Sequence, residues 1–323
     1  LMGLPGTRRY ADHAVKALTN YFTDPVNGGM WFAIKPEPDE DGHGVPWDES
    51  SRVKSQYHTV YALLGVAAAT VADRPGAHEL LNRMLEEQKE LWTDDYGLVW
   101  DEYDEAFNEP VPVHTLGTLI HTIEAYMAAA EATTEPEWLD RAEKMAAFAY
   151  KVASKNGWRI PEYFDENWEA NHEAGKLLND GRRYYEGYVT GHSMQLARFA
   201  LQVRAGLRSM GWDVPDYLLE MGTELFERAR VDGWRRTDAR PGFSTGVDDE
   251  GDPIPGEDEH QQWVVCEGVC ATVAVRRAML DDGGRVSDVE HFEHCYRSFV
   301  DYIHDYLISQ PGRWVRRLGA HNE

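Results

Sequence analysis

The feature that most constrains the fold is a repeat of two amphipathic segments joined by a glycine that is followed closely by an aromatic residue. The repeat occurs five times, with the glycines 60 to 79 residues apart: Gly29, Gly97, Gly157, Gly233 and Gly312. A single helix pair cannot bury its own apolar face, so recurring pairs predict a stacked or closed array in which neighbours cover one another. Because the second segment of each pair is the more apolar, we expect an (α/α) toroid with the second helices inside.

The apolar periodicity predicts helices over most of the chain. They are Thr7–Phe22, Val53–Val71, Ala77–Trp92, Thr115–Ala132, Glu135–Ala153, Gly191–Met210, Pro215–Arg230, Gln261–Leu280 and Val286–Ile308. Alternation typical of β-strands is confined to short stretches beside glycine, such as Gly97–Tyr103 and Gly157–Phe164. The sequence is therefore predicted to form one all-α domain over residues 1–323, with short β-hairpins between the helix pairs.

Polar or titratable residues recur near the start of the otherwise apolar second helices. They are His58; His121 with Glu124; His192 with Gln195; and Trp263 with Glu267. If these helices run parallel around a toroid, their starts meet at one mouth, which predicts a functional site there. The loop before His192 adds Arg182 and Tyr188 as hydrogen-bond donors. Each of these residues also has a structural interpretation, as a polar pair or a core contact between helices.

The net charge of −24 is the strongest compositional bias. It repels nucleic acid and anionic membranes, so neither is expected as a partner. The acidic residues are dispersed along loops and helix faces, which favours a solvated surface, as in proteins adapted to high salt, over a cation site. The long acidic segment Asp238–His260 is a candidate lid.

The three cysteines argue against a disulfide framework and favour a reducing compartment. Cys266 and Cys270 belong to an apolar run, so we interpret them as core residues and not as zinc ligands joined to His291, His294 and Cys295. No metal or cofactor is predicted. The first residues lack a signal-peptide pattern, which favours a cytoplasmic protein with a small-molecule substrate. The sequence is also compatible with a homodimer.

Four short motifs occur in order along the chain. They are Asn27–Trp31, with the sequence NGGMW; Ile120–Ala125, IHTIEA; Thr190–His192, TGH; and Trp263–Glu267, WVVCE. Together they resemble the Gly-Gly-Phe, Met-His-x-x-Glu-Ala, Pro-Gly-His and Trp-x-x-x-Glu motifs of the N-acylglucosamine 2-epimerase superfamily of sugar epimerases and aldose–ketose isomerases. The last motif looks most like the mannose-isomerase branch.

The resemblance implies an (α/α)6 barrel and cofactor-free proton transfer next to a sugar carbonyl. His192 stands at the position of a catalytic acid/base, which the family pairs with a second histidine on the last inner helix. His121 stands at the position of a histidine that helps to bind or open the sugar. The carboxylates, here Glu124 and Glu267, orient those rings and the sugar hydroxyls.

The chain also departs from the family pattern. Gln195 stands where many members have glutamate, so its role is limited to hydrogen bonding. The arginine of the first inner helix has no clear counterpart, and Gln56 or His58 lies near its place. The sequence ends at Glu323, before a fifth inner helix, so we expect the barrel to lack its last inner helix and the histidine on it.

These residues suit an aldose–ketose isomerisation, such as mannose to fructose, or a 2-epimerisation through a cis-enediol(ate). Histidine has an ordinary pKa of about 6.5, so it can take and return the proton next to the carbonyl at neutral pH. Arg182, Gln195 or Tyr188 could stabilise the oxyanion, and Trp263 offers a flat face to the sugar ring. Two alternatives stay open: an (α/α)-barrel glycoside hydrolase or lyase, and a non-catalytic sugar-binding relative.

Overall fold

The computed structural model describes residue 4, residues 6–235 and residues 241–323. Its helices are α1 Thr7–Ala17, α2 Gln56–Val71, α3 Ala77–Glu87, α4 Leu116–Thr133, α5 Pro136–Lys155, α6 Thr190–Ser209, α7 Tyr217–Gly233, α8 Gln262–Asp281 and α9 Glu290–Tyr302. Each helix predicted from the apolar periodicity is present, which confirms the all-α class.

In three of the helix pairs, the first helix ends in a five-residue π-helical segment. These segments are Leu18–Phe22 after α1, Gln88–Trp92 after α3 and Ile303–Leu307 after α9. Thr23, the residue after the segment Leu18–Phe22, has an extended backbone, and its hydroxyl donates to the Leu18 carbonyl at 2.9 Å. Thr93 makes the equivalent bond after α3. The Leu18 carbonyl also accepts the Thr23 backbone N–H at 3.1 Å, so Thr23 holds the end of the π turn with two hydrogen bonds before the chain enters the glycine turn.

The described strands are two or three residues long and pair antiparallel in twos. The pairs are β1 Lys54–Ser55 with β2 Glu102–Tyr103, β3 Val113–Thr115 with β4 Tyr163–Asp165, β5 Tyr188–Val189 with β8 Gly246–Val247, β6 Trp234–Arg235 with β7 Gly242–Phe243, β9 His260–Gln261 with β12 Arg317–Leu318, and β10 Ile308–Gln310 with β11 Arg313–Trp314. Strands β1, β3, β5 and β9 lead directly into α2, α4, α6 and α8, and each pairs with a strand of the following repeat. These pairings therefore fix where the second helices begin.

The predicted hairpins are only partly as expected. Around Gly312, β10 and β11 form a hairpin, and Gly312 has a φ of 78°, which a residue with a Cβ rarely adopts. After Gly97 and Gly157, the strands β2 and β4 pair with β1 and β3 of the preceding repeat, and each also forms an antiparallel bridge with a later residue of its own repeat. Thr93 and Val99 form a further antiparallel bridge across Gly97. Strand periodicity within one repeat carries no information about such a partner in another repeat.

A second repeat, which the sequence reasoning missed, is a five-residue turn opened by aspartate. Asp39, Asp104, Asp165 and Asp248 each accept hydrogen bonds from the backbone N–H groups two and four residues later. The residue three positions after each aspartate has a positive φ. Two of these residues are not glycine, Phe107 and Trp168, and both are held by aromatic packing. These four aspartates therefore act as turn-forming residues within the acidic loops.

The chain divides into two compact units. The first comprises Leu1–Met145 and Tyr163–Tyr184, and the second comprises Ala146–Glu162 and Tyr185–Glu323. In the first unit α2 packs against α3 and α4, and fully buried side chains include Leu63, Leu81, Trp92, Ile120 and Tyr126. In the second unit α6 packs against α7 and α8, and α8 against α9, around Phe199, Leu225, Phe226, Val264 and Phe299. The second helices are the buried ones, as predicted.

Within the described residues, no helix combines the length and the apolar character needed to cross a membrane. The expectations of one domain over residues 1–323 and of a missing last inner helix stay predictions.

Candidate active site

His192 lies in the first turn of α6 and is paired with a buried carboxylate that the sequence reasoning missed. Its Nδ1 lies 2.7 Å from Oε2 of Glu162, whose side chain is 4% exposed. The other oxygen, Oε1, accepts the backbone N–H of Val189 in β5 at 3.1 Å. A carboxylate oxygen can accept but cannot donate, so this pairing assigns a proton to Nδ1 of His192. The Nε2 atom of His192 is then left with its lone pair, which is the form that can act as a base.

Trp263, in the first turn of α8, lies beside His192 because Gly191 leaves room for it. The two ring centroids are 5.4 Å apart and the rings are tilted by 41°. A Cβ on Gly191 would lie 2.3 Å from the Trp263 ring. The indole N–H donates to Oε1 of Gln261 at 2.8 Å, which fixes the ring plane. The half-buried tryptophan therefore presents a held aromatic face next to the histidine.

Gln195 and Glu267 form a polar cluster between α6 and α8, together with Arg198. Gln195 Nε2 donates to Glu267 Oε1 at 3.2 Å, and Arg198 Nε donates to Glu267 Oε2 at 3.1 Å. The Arg198 and Glu267 side chains are only 18% and 17% exposed, so this ion pair is largely shielded from solvent. Among the described residues Oε1 of Gln195 is buried without a hydrogen-bond partner.

In the first unit, both ring nitrogens of His121 are engaged. Nδ1 lies 3.1 Å from Oε2 of Glu124 one helical turn later, as the spacing predicts. Nε2 lies 2.8 Å from the hydroxyl of Tyr61 on α2. Glu124 takes the Nδ1 proton and Tyr61 donates to Nε2, which gives a consistent chain of donors and acceptors. Tyr61 was not anticipated from the sequence.

His58 lies near the start of α2 and is held by a different chain. Its Nδ1 lies 2.9 Å from the Ser55 hydroxyl, which donates to Oδ2 of Asp180 at 2.8 Å. The ring stacks on Phe32, with centroids 4.6 Å apart. Burial lowers the pKa of His58, and the charge of Asp180 offsets this only in part. The ring borders a cavity of about 300 Å³ that is lined mostly by apolar and aromatic side chains.

Arg182 lies in the first unit, where most of its donors are taken by protein groups. Its Nε hydrogen-bonds to Asp180, its Nη1 to the hydroxyls of Thr115 and Thr118, and its Nη2 to Asp101. Burial alone would lower the pKa of Arg182, but the charges of Asp101 and Asp180 raise it. The guanidinium also lies 4.6 Å from the centre of the Tyr57 ring. Arg182 therefore braces the start of α4, and its predicted contact with a sugar stays a prediction.

Tyr188 is buried and is bonded to the acidic loop of the second unit. Its hydroxyl donates to Oδ1 of Asp249 at 2.8 Å and accepts from Nδ2 of Asn156 at 3.2 Å. Burial and the Asp249 carboxylate raise the pKa of Tyr188. Arg159 donates to the Asp249 carbonyl at 2.7 Å. Residues 238–240 of the segment predicted as a lid lie outside the described residues. The turn of that segment that contains Asp249 is held by the hydrogen bonds from Tyr188 and Arg159.

The cysteines differ in exposure. Cys295 is buried, Cys266 is half-buried and Cys270 is exposed, so Cys270 is not the core residue that was expected. His291 lies 3.7 Å from the Cys295 sulfur and 2.7 Å from Glu227. In the described part of the chain, no three His, Cys, Asp or Glu side chains are grouped so that they could hold a metal ion.

Comparison with known proteins shows that the chain is an enzyme of the sugar isomerase and epimerase class. The model of the N-acylglucosamine 2-epimerase (GlcNAc 2-epimerase) family matches residues 1–323. The chain belongs to this family.

Similar proteins support the same placement. The chain is 31% identical over 323 residues to a D-mannose isomerase of Thermobifida fusca, a match that covers 98% of this chain and 73% of the relative. A crystal structure of a D-mannose isomerase superposes with a TM-score of 0.83 at 20% identity, over 99% of this chain and 76% of that one. A cellobiose 2-epimerase from Spirochaeta thermophila superposes with a TM-score of 0.72 at 16% identity, over 98% and 71%. These likenesses confirm the (α/α)6 barrel as the fold class.

Proposed function

We propose that this enzyme interconverts D-mannose and its 2-ketose, D-fructose, through a cis-enediol(ate), with His192 as the base that moves the carbon-bound proton. The observation that carries the proposal is the pairing of His192 Nδ1 with the buried Glu162 carboxylate at 2.7 Å. That pairing leaves Nε2 as the basic atom. The choice of mannose is supported by the D-mannose isomerase of Thermobifida fusca, which is 31% identical to this chain.

In the proposed reaction Nε2 of His192 removes the proton from C2 of the open-chain aldose and returns it to C1. Trp263 offers its flat face to the apolar side of the sugar, and Oε1 of Gln195 accepts a hydrogen bond from a hydroxyl. Glu267 orients Gln195 and is itself held by Arg198. The sugar-binding or ring-opening role that the resemblance implies for His121 and Glu124 is retained as a separate proposal. One base that serves both C1 and C2 suits an isomerisation, whereas 2-epimerisation needs a proton delivered to the opposite face of C2.

A glycoside hydrolase needs one carboxylic acid that keeps its proton for the leaving group. Glu267 is ion-paired with Arg198, and Oε2 of Glu124 lies 3.1 Å from Nδ1 of His121, so both carboxyl groups are already engaged by basic side chains. This favours the isomerase over the hydrolase or lyase alternative. A non-catalytic sugar-binding relative would bind mannose without producing ketose.

The test is a comparison of ketose formation from D-mannose by the wild type, His192→Asn and a matched control, His304→Asn. His304 is a histidine whose side chain is 80% exposed, and within the described residues it pairs with its neighbour Asp305. General-base catalysis contributes about 10²–10⁴-fold, so we expect His192→Asn to lose at least a hundredfold in kcat. His304→Asn should match the wild type. Full activity of His192→Asn would exclude His192 as the base.

A cytoplasmic location and a homodimeric state are also retained as proposals. The free state of Cys266, Cys270 and Cys295 supports a reducing compartment. Sedimentation at several protein concentrations would decide the oligomeric state.

A further inference from the structure

The side chains of Glu259, Gln261 and Trp263 form a hydrogen-bonded chain in the second unit that ends beside His192. Oε1 of Glu259 accepts from Nε2 of Gln261 at 2.8 Å, and Oε1 of Gln261 accepts from the Trp263 indole N–H at 2.8 Å. The ring centroids of Trp263 and His192 are 5.4 Å apart. We propose that Glu259 and Gln261 are positioning residues, which set the plane of Trp263 and thereby the affinity of the enzyme for its aldose. This inference rests on the proposed function, in which Trp263 faces the sugar.

The first step of the argument concerns the orientation of the Gln261 amide. A carboxylate oxygen can accept a hydrogen bond but cannot donate one, whereas an indole N–H can only donate. Gln261 lies between one group of each kind, so its NH₂ group faces Glu259 and its oxygen faces Trp263. The reverse orientation would put two acceptors together on one side of the amide and two donors together on the other. The carboxylate of Glu259 therefore determines that an acceptor faces the indole.

The second step concerns Glu259, whose backbone and side chain are both held. Its carbonyl accepts the Thr245 backbone N–H at 3.2 Å and the Thr245 hydroxyl at 2.7 Å. Its side chain is 16% exposed and lies 3.2 Å from Nη1 of Arg317 in β12. The Thr245 carbonyl in turn accepts the backbone N–H of Thr190, the first residue of α6, at 3.0 Å. Thr245 therefore connects Glu259 to the helix that carries His192.

The third step concerns the two edges of the Trp263 indole. A Cβ on Gly191 would lie 2.3 Å from Cζ3 and 2.4 Å from Cη2, so the six-membered ring packs closely on Gly191. Nε1 belongs to the five-membered ring, which is the edge that Gln261 holds. Without that hydrogen bond the indole keeps its contact at one edge and can tilt. Because an aromatic face supports the sugar equally before and during proton transfer, a tilted ring should raise KM and leave kcat nearly unchanged.

The test exchanges the hydrogen-bonding groups at positions 259 and 261 and measures KM and kcat for D-mannose. Glu259→Lys places an ammonium beside Gln261, which turns the amide oxygen towards itself and the NH₂ group towards the indole N–H. Gln261→Glu places one carboxylate against another. We expect each single substitution to raise KM about fivefold, the size of one net hydrogen bond, with kcat changed less than about twofold.

The combined variant, Glu259→Lys with Gln261→Glu, restores the pairing of donors and acceptors. The introduced carboxylate accepts from both the introduced ammonium and the Trp263 indole, so KM should return to within about twofold of the wild type. Gln261→Met removes both hydrogen bonds without a change of charge and should raise KM about fivefold. It also decides the question if Glu259→Lys does not fold.

The matched control is Glu224→Lys, which makes the same change of charge at an exposed residue of α7 in the same unit. It should leave KM and kcat unchanged. The inference would be overturned, with the proposed function intact, by an unchanged KM in Gln261→Met, by a loss confined to kcat, or by a combined variant no better than Glu259→Lys alone. A wild-type protein that formed no fructose from mannose would contradict the proposed function, and the positioning role in that reaction with it.

Discussion

The Glu162–His192 pair gives the sharpest prediction, because Glu162→Gln should be more stable than Glu162→Ala but less active. In Glu162→Gln the amide oxygen must face the backbone N–H of Val189, which donates to Oε1 at 3.1 Å in the wild type. The amide NH₂ group then points at Nδ1 of His192. Nδ1 is forced to accept, the ring proton moves to Nε2, and the base is lost.

The magnitudes follow from that geometry. Holding a catalytic histidine in the wrong tautomer costs up to about 10⁴-fold in kcat, and we expect 10³- to 10⁴-fold for Glu162→Gln. Its stability should change little, because both hydrogen bonds persist. Glu162→Ala removes the acceptor for Val189, which leaves a buried N–H unpaired at about 1–3 kcal/mol. Its histidine is still free to adopt the productive tautomer, so we expect a smaller loss in kcat, about 10- to 100-fold.

The assay is fructose formation from mannose, combined with urea unfolding of each variant. The matched control is Glu166→Gln, since Glu166 is exposed and lies four residues further on. It should change neither quantity. A Glu162→Gln enzyme more active than Glu162→Ala would refute the tautomer argument and leave Glu162 a merely orienting group.

Two further substitutions test the packing around the sites. Gly191→Ala would place a Cβ 2.3 Å from the Trp263 ring, so we expect a loss of about 1–3 kcal/mol in urea unfolding and a raised KM for mannose. Lys54→Met would leave Asp24 charged and unpaired, since the two form a 2.7 Å ion pair with side chains 0% and 2% exposed, and should cost about 3–5 kcal/mol. Lys54→Met combined with Asp24→Asn should recover much of that loss. Burial raises the pKa of Asp24, but the hydrogen bond from Lys54 and the turn N–H groups lower it below 3.8. The contribution of charged Asp24 to stability is therefore complete above about pH 4 and is lost as the pH falls further. Urea unfolding of the wild type between pH 7 and pH 3 should show this loss, and Asp24→Asn should lack it.

The helices could be predicted because their physics is local. An apolar stripe with helical period marks α2, α4, α6 and α8 from a window of a few turns. His121 and Glu124 were paired correctly for the same reason, as they lie one turn apart on α4. The predicted starts of the second helices were also close to the observed ones, although the strands that fix these starts were not predicted.

What could not be predicted depends on residues far apart in the chain. Glu162 and His192 are 30 positions apart, in a turn and a helix that no shared periodicity connects. The same holds for Ser55 and Asp180, which are 125 positions apart. Arg182 was predicted to stabilise an oxyanion because the sequence does not show which groups its guanidinium contacts. In the structure most of its donors are bonded to protein groups. One missed signal was available in the sequence: the recurring aspartates at Asp39, Asp104, Asp165 and Asp248 mark such a turn in each of the first four repeats.

The central claim is that His192 removes the proton from C2 of an aldose. The most direct measurement is proton NMR of D-mannose incubated with the wild-type enzyme in heavy water, with His192→Asn in parallel. We predict that the C2 hydrogen signal of mannose disappears and fructose forms with the wild type, and that the signal persists with His192→Asn. Binding of mannose by the wild type without any loss of the C2 signal or any fructose would contradict the proposed function.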